Sequence, residues 1–141
     1  MKSLIFNPLS CLILIMLTSF TVIGRGKECH LTINITNISA IKGDIYIAVY
    51  DSKDAFKNKN AVFSRRMKVT ATNENLTVAL PEGEYAVILY QDLNGNKKLD
   101  RMFSIPLEPY GVSNNIKGKP SFDSIKFLLQ KEQTISINIK N

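Results

Sequence analysis

Four oxygen-bearing side chains fall at Asp92, Asn94, Asn96 and Asp100, positions 1, 3, 5 and 9 of the segment Asp-Leu-Asn-Gly-Asn-Lys-Lys-Leu-Asp. A hard cation such as Ca2+ takes about six to eight oxygen ligands at roughly 2.3–2.6 Å, and such alternation in a tight loop turns one oxygen after another inward. The carbonyl of Lys98 stands at position 7, where loops of this kind supply a main-chain ligand. Glu108 lies just downstream between two prolines and is a candidate to fold back onto the cation; the plainer reading is a surface acid. The segment departs from an EF-hand loop. Lys97 holds position 6, normally glycine; Phe103 holds position 12, normally glutamate; and no helical periodicity flanks it. Two formal carboxylates surrounded by Lys97, Lys98 and Arg101 set the expected affinity low, on the order of 10⁻⁴ to 10⁻³ M. The competing reading is an Asn94-Gly95 hairpin turn, the strongest short-range hairpin signal. In it, Asp92 and Asp100 only cap main-chain N–H groups.

No residue set is nominated as catalytic. His30 is the sole histidine and opens a strand, far in sequence from any nucleophile. Ser113 lacks the Gly-x-Ser-x-Gly elbow that exposes a serine nucleophile. Cys29 falls in the leader stretch before the first strand and is expected to be free, since Cys11 belongs to the targeting segment. Glu82, Glu84 and Glu108 would have to be paired at a defined separation for glycoside chemistry, which sequence spacing does not fix. Surface acids are the simpler reading.

The elements that must position the loop read as strands. His30–Thr36 alternates apolar and polar residues, placing Ile33 and Ile35 on one buried face. Gly43–Tyr50 is nearly continuous in apolar residues, and the two are expected to form a hairpin. Asp51–Asn60 is a polar connection with a helical turn at Ser52–Phe56. Phe63–Ala71, Leu76–Leu80, Glu84–Tyr90, Ser124–Leu129 and Thr134–Lys140 complete seven strands, and Glu84–Tyr90 delivers Asp92 into the loop. Residues 101–121 are rich in Pro and Gly, with little periodicity. Such a segment is expected to lack a regular ladder and to be functional or mobile. Seven short strands at this spacing predict an all-β fold, a seven-stranded Greek-key β-sandwich.

The first 26 residues read as a signal peptide: Lys2, the apolar run Cys11–Ile23, then Gly24 and Gly26 near a cleavage point. Residues 27–141 then form one domain, exported to the periplasm or beyond, with no stable membrane span after cleavage. The formal charge of +6 falls to +4 when Lys2 and Arg25 leave with the signal. The basic residues are not interleaved with aromatics in a nucleic-acid pattern, so nucleic acid is not an expected partner.

Three motifs in fixed order carry a family likeness: Gly83-Glu-Tyr-Ala-Val, the Asp92–Asp100 loop, and Ile105-Pro-Leu-Glu-Pro-Tyr-Gly-Val-Ser-Asn-Asn115. In these the chain resembles the bacterial exported family called domain of unknown function 2141. That family's loop usually reads Asp-x-Asn-Gly-Asn-Gly-Lys-Leu-Asp, with a glycine before Ile-Pro-x-Glu. Here Lys97 and Ser104 replace the two glycines. The resemblance implies an immunoglobulin- or transthyretin-like sandwich and brings no activity.

The expected function is a non-enzymatic binding or structural module of the cell envelope. Its Ca2+ loop would be ligated through Asp92, Asn94, Asn96, Lys98, Asp100 and Glu108. Phe103 and Tyr110 would offer apolar contacts to an envelope protein, peptide or glycan, unless they belong to the core. The alternatives are a metal-free structural β-domain and a carboxylate-dependent glycan-active enzyme.

Overall fold

The computed structural model describes residues 26–103 and 105–140. Of the expected signal peptide, residues 1–26, all but Gly26 lie outside the described residues, Cys11 among them, as does Ser104. The elements in chain order are β1 (Glu28–Thr36), β2 (Asp44–Tyr50), α1 (Lys53–Asn58), β3 (Phe63–Lys68), β4 (Glu74–Pro81), β5 (Gly83–Asp92), β6 (Arg101–Met102), β7 (Ile105–Pro106) and β8 (Tyr110–Val112). A 3-10 turn at Ser113–Asn115 follows, then α2 (Phe122–Ile125), β9 (Phe127–Leu129) and β10 (Gln133–Asn138).

The smaller sheet has the order β10-β1-β4, with β1 antiparallel to β4 and parallel to β10. The larger has the order β3-β2-β5-β8, antiparallel throughout. β9 pairs with the first residues of β5, Gly83–Tyr85, and β8 with the later ones, Ile88–Tyr90. β6 and β7 form a separate two-stranded ribbon.

Period-2 alternation explains how the two larger sheets meet. Leu31, Ile33 and Ile35 of β1, Ile137 of β10 and Val78 and Leu80 of β4 point inward. They share one core with Ile45, Ile47 and Val49 of β2 and Tyr85, Val87 and Leu89 of β5. Each such aliphatic side chain contributes about 1.5–3 kcal/mol by leaving water. The expected common face of Ile33 and Ile35 is present, both fully buried.

Four expectations need correction. β1 and β2 do not pair: both edges of β1 are occupied by β4 and β10, and residues 37–42 carry the chain across to the other sheet. Asn37, at φ 64°, fixes that crossing by donating from its side chain to the Ile139 carbonyl at 2.9 Å. Cys29 is not in a flexible leader but within β1, 1% exposed and packed in the core. All seven expected stretches contain a strand, but ten strands form among the described residues because 101–121 adds β6, β7 and β8. Finally, the stretch read as a strand at Ser124–Leu129 begins as α2. Ser121 caps that helix in a reciprocal box with Ser124, and the strand starts only at Phe127.

The helical turn expected near Ser52 is α1. The Ser52 hydroxyl accepts from Ala55 N at 3.2 Å, and Lys59 ends the helix in the left-handed region. α1 and α2 pack over one end of the larger sheet's outer face. There Phe56 meets Tyr50 and Phe122 edge-on, at 5.3 and 6.5 Å between ring centres.

Candidate functional site

β5 is buried along its core face, only half-buried at Ile88 and Tyr90 on its outer face, and ends at Asp92, which is 1% exposed. Its carboxylate turns into the loop: Oδ1 accepts from Gly95 N at 2.7 Å and Oδ2 from Lys97 N at 2.8 Å. This is the side-chain-to-backbone cap that aspartate offers a turn. It draws the backbone through two left-handed residues, Gly95 at φ 78° and Lys97 at φ 64°.

Three of the expected ligand residues meet. Asn94 Nδ2 donates to Asp100 Oδ2 at 2.6 Å, and Asn96 Nδ2 donates to both Asp100 oxygens at 2.8 and 2.9 Å. The amide oxygens face the main chain: Asn94 Oδ1 accepts from Asn96 N at 3.0 Å, and Asn96 Oδ1 from Lys98 N at 2.9 Å. Asp92 thus binds the loop's backbone, while Asp100 gathers its side chains.

Glu108 is 5% exposed, so it is not a surface acid. Oε1 accepts from Leu93 N at 2.9 Å and Oε2 from Asp100 N at 3.3 Å, so one carboxylate grips both ends of the loop. Leu107 N donating to Asp100 O and Gln91 N donating to Pro109 O, each at 2.8 Å, sew the Pro-rich segment down beside it. Among the described residues no three His, Cys, Asp or Glu side chains form a metal-holding group. Glu108 therefore does not join Asp92 and Asp100 as a third carboxylate around one point.

Tyr90 ties this loop to the sheet through its hydroxyl, which donates to the Lys97 carbonyl at 3.1 Å. Burial, then the neighbouring Tyr46, Asp92 and Glu108, push its pKa up to about 12. It is therefore a neutral donor at any physiological pH.

The two expected contact residues part company. Phe103 is 94% exposed, at φ 48°, beside exposed Met102, Ile105 and Leu107 on the β6–β7 ribbon; it is not core. Tyr110 is half-buried on β8, in register with Tyr90, which in turn opposes Tyr46 on β2. Three tyrosines thus form a row across the outer face of the larger sheet. The signal for that row was Tyr46 and Tyr90, each set in a strand run made mostly of Ile, Val, Ala and Leu; Tyr110, between Pro109 and Gly111, carried none.

The candidates for catalysis are not brought together. His30 is exposed beside Glu132 at 3.5 Å, and Glu84 pairs with Lys126 at 3.0 Å. Ser113 is buried; its hydroxyl accepts from Val87 N at 3.0 Å and donates to Ile125 O at 2.5 Å. Gln91, which sequence reasoning passed over, is fully buried. It bridges the Ala40 and Lys42 carbonyls from Nε2 at 2.7 Å each, securing the crossing into β2.

A family model described as an uncharacterised protein conserved in bacteria, DUF2141, matches residues 33–137, which span both sheets, the loop and Glu108. No curated protein and no solved structure matches the chain. Among the described residues no helix is long and apolar enough to cross a membrane.

Proposed function

We propose, from the premise that the chain belongs to the DUF2141 family, that it is an exported, non-enzymatic binding module of the cell envelope. It is built on a Greek-key sandwich of immunoglobulin- or transthyretin-like kind, and its Asp92–Asp100 loop takes a hard cation, Ca2+. The observation that carries this reading is the convergence of Asn94 and Asn96 on Asp100, inside a loop already curled around Asp92. The donor set is oxygen-rich and suits a hard cation rather than a soft one.

Asn94, Asn96 and Asp100 would hold the ion, with Asp92 and the Lys98 carbonyl as further oxygens. For each amide to present Oδ1 toward Asp100 it must release the main-chain N–H it now accepts from, at Asn96 and Lys98, so ion binding exchanges those two hydrogen bonds for metal–oxygen bonds. Glu108 has the different task of bracing the backbone at Leu93 and Asp100. A bound ion supplies a fixed positive centre that restricts the loop. The loop can then serve as a rigid wall for an envelope protein, peptide or glycan.

A second reading has its own support. The carboxylates of Asp92 and Asp100 already have hydrogen-bond partners without an ion, as a metal-free structural loop would require. Thermal unfolding in EDTA and in millimolar Ca2+, for wild type and Asp100→Asn, separates the two. Ligand at about ten times Kd adds roughly 1.4 kcal/mol to the folded state. A rise in Tm in wild type that Asp100→Asn loses supports the cation loop; equal Tm values in EDTA and Ca2+ overturn it and favour the structural loop.

A further inference from the structure

The outer face of the larger sheet carries four cross-strand rows with different fates. The row Lys68–Asp44–Asp92 is capped by the loop at Asp92, and the row of Tyr50 and Ala86 lies under α1 and α2. Between them, Arg66–Tyr46–Tyr90–Tyr110 and Ser64–Ala48–Ile88–Val112 cross the sheet; Ala48 and Ile88 touch the cluster under the helices at one side, and among the described residues no element closes over Tyr46, Ala48, Ile88 and Tyr90.

These four half-buried residues floor a groove of about 710 Å³, walled by Phe56 of α1 on one side and Leu99 of the loop on another. A cavity of about 450 Å³ adjoins it, sharing Leu99, Arg101, Lys119 and Pro120 and running on toward Tyr110. The first volume alone falls within the range of roughly 300–1,000 Å³ typical of sites for organic ligands.

The floor is apolar and the rim is cationic. Tyr46 and Tyr90 stack with ring centres 5.1 Å apart and planes 7° apart, and the Tyr90 hydroxyl is engaged by Lys97 O. Lys59, Arg65, Arg66, Arg101 and Lys119 contribute to the groove, whereas among the described residues no Asp or Glu lines either cavity. Arg66 is held by Asp44 at 2.8 Å. Among the described residues, Lys59, Arg65, Arg101 and Lys119 pair with no carboxylate. Such a rim focuses an attractive field for anions over a surface that favours hydrocarbon.

We propose that this groove binds an anionic amphiphile, specifically a long-chain fatty carboxylate. The chain lies along Tyr46, Ala48 and Ile88. The carboxylate meets Arg101, whose guanidinium fork matches two carboxylate oxygens, with Lys119 alongside where the two cavities join. A glycan fits less well, because among the described residues Ser64 is the only short neutral hydroxyl in the lining and sugars need a dense set of such partners. The site stands whether or not the loop takes a cation, and its ligand class goes beyond the envelope partners proposed above.

The test is calorimetric titration of the folded domain with dodecanoate below its micelle concentration, at about 0.15 M ionic strength, in EDTA and again in Ca2+. Dodecyltrimethylammonium serves as the charge-reversed probe. Saturable one-to-one binding of dodecanoate in both buffers is expected, with the cationic probe at least about tenfold weaker. The double variant Arg101→Gln/Lys119→Gln should weaken dodecanoate by about tenfold or more. Both positions are exposed, so this variant keeps the fold. Ala48→Trp, which fills the floor, should abolish binding.

Absence of dodecanoate binding in both buffers overturns the proposal. Equal affinity for the double variant, or equal affinity for the cationic probe, overturns it too. So does retention of the domain by phosphatidylglycerol vesicles or acidic oligosaccharide without uptake of dodecanoate. Loss of the Ca2+ shift in Tm while dodecanoate still binds would sink the cation loop and leave the groove standing.

Discussion

The Tyr90 hydroxyl donates to the Lys97 carbonyl at 3.1 Å, so a side chain rooted in the open row of the sheet holds the crown of the loop. The folded protein keeps this phenol protonated up to about 12, against an ordinary 10.0. A phenol whose pKa is raised by folding contributes stability fully present below pH 10 and lost as pH climbs through the folded value. Chemical denaturation between pH 9 and about 12 should therefore show wild type losing stability across that window. Tyr90→Phe should give a flatter profile from a lower starting point. Identical slopes in the two proteins would remove Tyr90 from the alkaline transition.

Lys97 occupies the left-handed region at φ 64°, and a side chain there costs about 1–2 kcal/mol. Glycine gives back about 0.5–1 kcal/mol through its greater freedom in the unfolded chain. Lys97→Gly should thus raise stability by about 0.5 kcal/mol, read as a higher urea midpoint at unchanged m-value. Lys97→Val, β-branched, should lower it.

Glu108 satisfies two main-chain donors at the two ends of the loop. Leaving buried donors unpaired costs about 1–3 kcal/mol. Glu108→Ala should lose about 2–3 kcal/mol, and Glu108→Gln, which keeps one acceptor oxygen, about half as much. Amide exchange at Leu93 and Asp100 should accelerate in both variants while that of Ile33 and Ile35 in β1 holds. Unchanged exchange at Leu93 and Asp100 would sink the bracing role.

Gly43 sits at φ 69°, and a Cβ there would lie 2.0 Å from the Asp92 carbonyl oxygen. Main chain cannot yield as a flexible side-chain end does, so Gly43→Ala should cost about 3 kcal/mol or more. The check is the urea midpoint; a shift within 0.5 kcal/mol would mean that the β2–β5 contact relaxes freely.

Phe103 makes the opposite case. At 94% exposure it should be replaceable by Ser with a change within about 0.5 kcal/mol, measured by thermal unfolding.

The sequence exposed the strands well because period-2 alternation survives wherever one face is buried, as at Ile33 and Ile35. It did not expose their partners. Nothing in His30–Thr36 distinguishes an edge awaiting β2 from one awaiting β4 and β10, since alternation reports the face and not the neighbour. The loop was legible from Asp92 to Asp100 as a set of oxygens, but their division of labour was not. Asp92 and Glu108 serve main-chain N–H groups, and only Asp100 collects side chains. The rim of the groove was invisible, because Lys59, Arg66, Arg101 and Lys119 are far apart in sequence and meet only through cross-strand register and loop placement.

The parallel pairing of β1 with β10 has a bearing on when the chain can fold. Thr36 and Asn138 are hydrogen-bonded neighbours separated by 102 positions, and the strand that fills the middle of the smaller sheet is made first. Closing so long a loop is slow, and its entropic cost falls due before any of its contacts form. A chain emerging N-terminus first leaves β1 with a bare edge until almost all the rest has followed, so the sandwich closes only as its last strand arrives. If the chain is exported as proposed, that delay would keep it threadable through a narrow pore for nearly the whole of its passage.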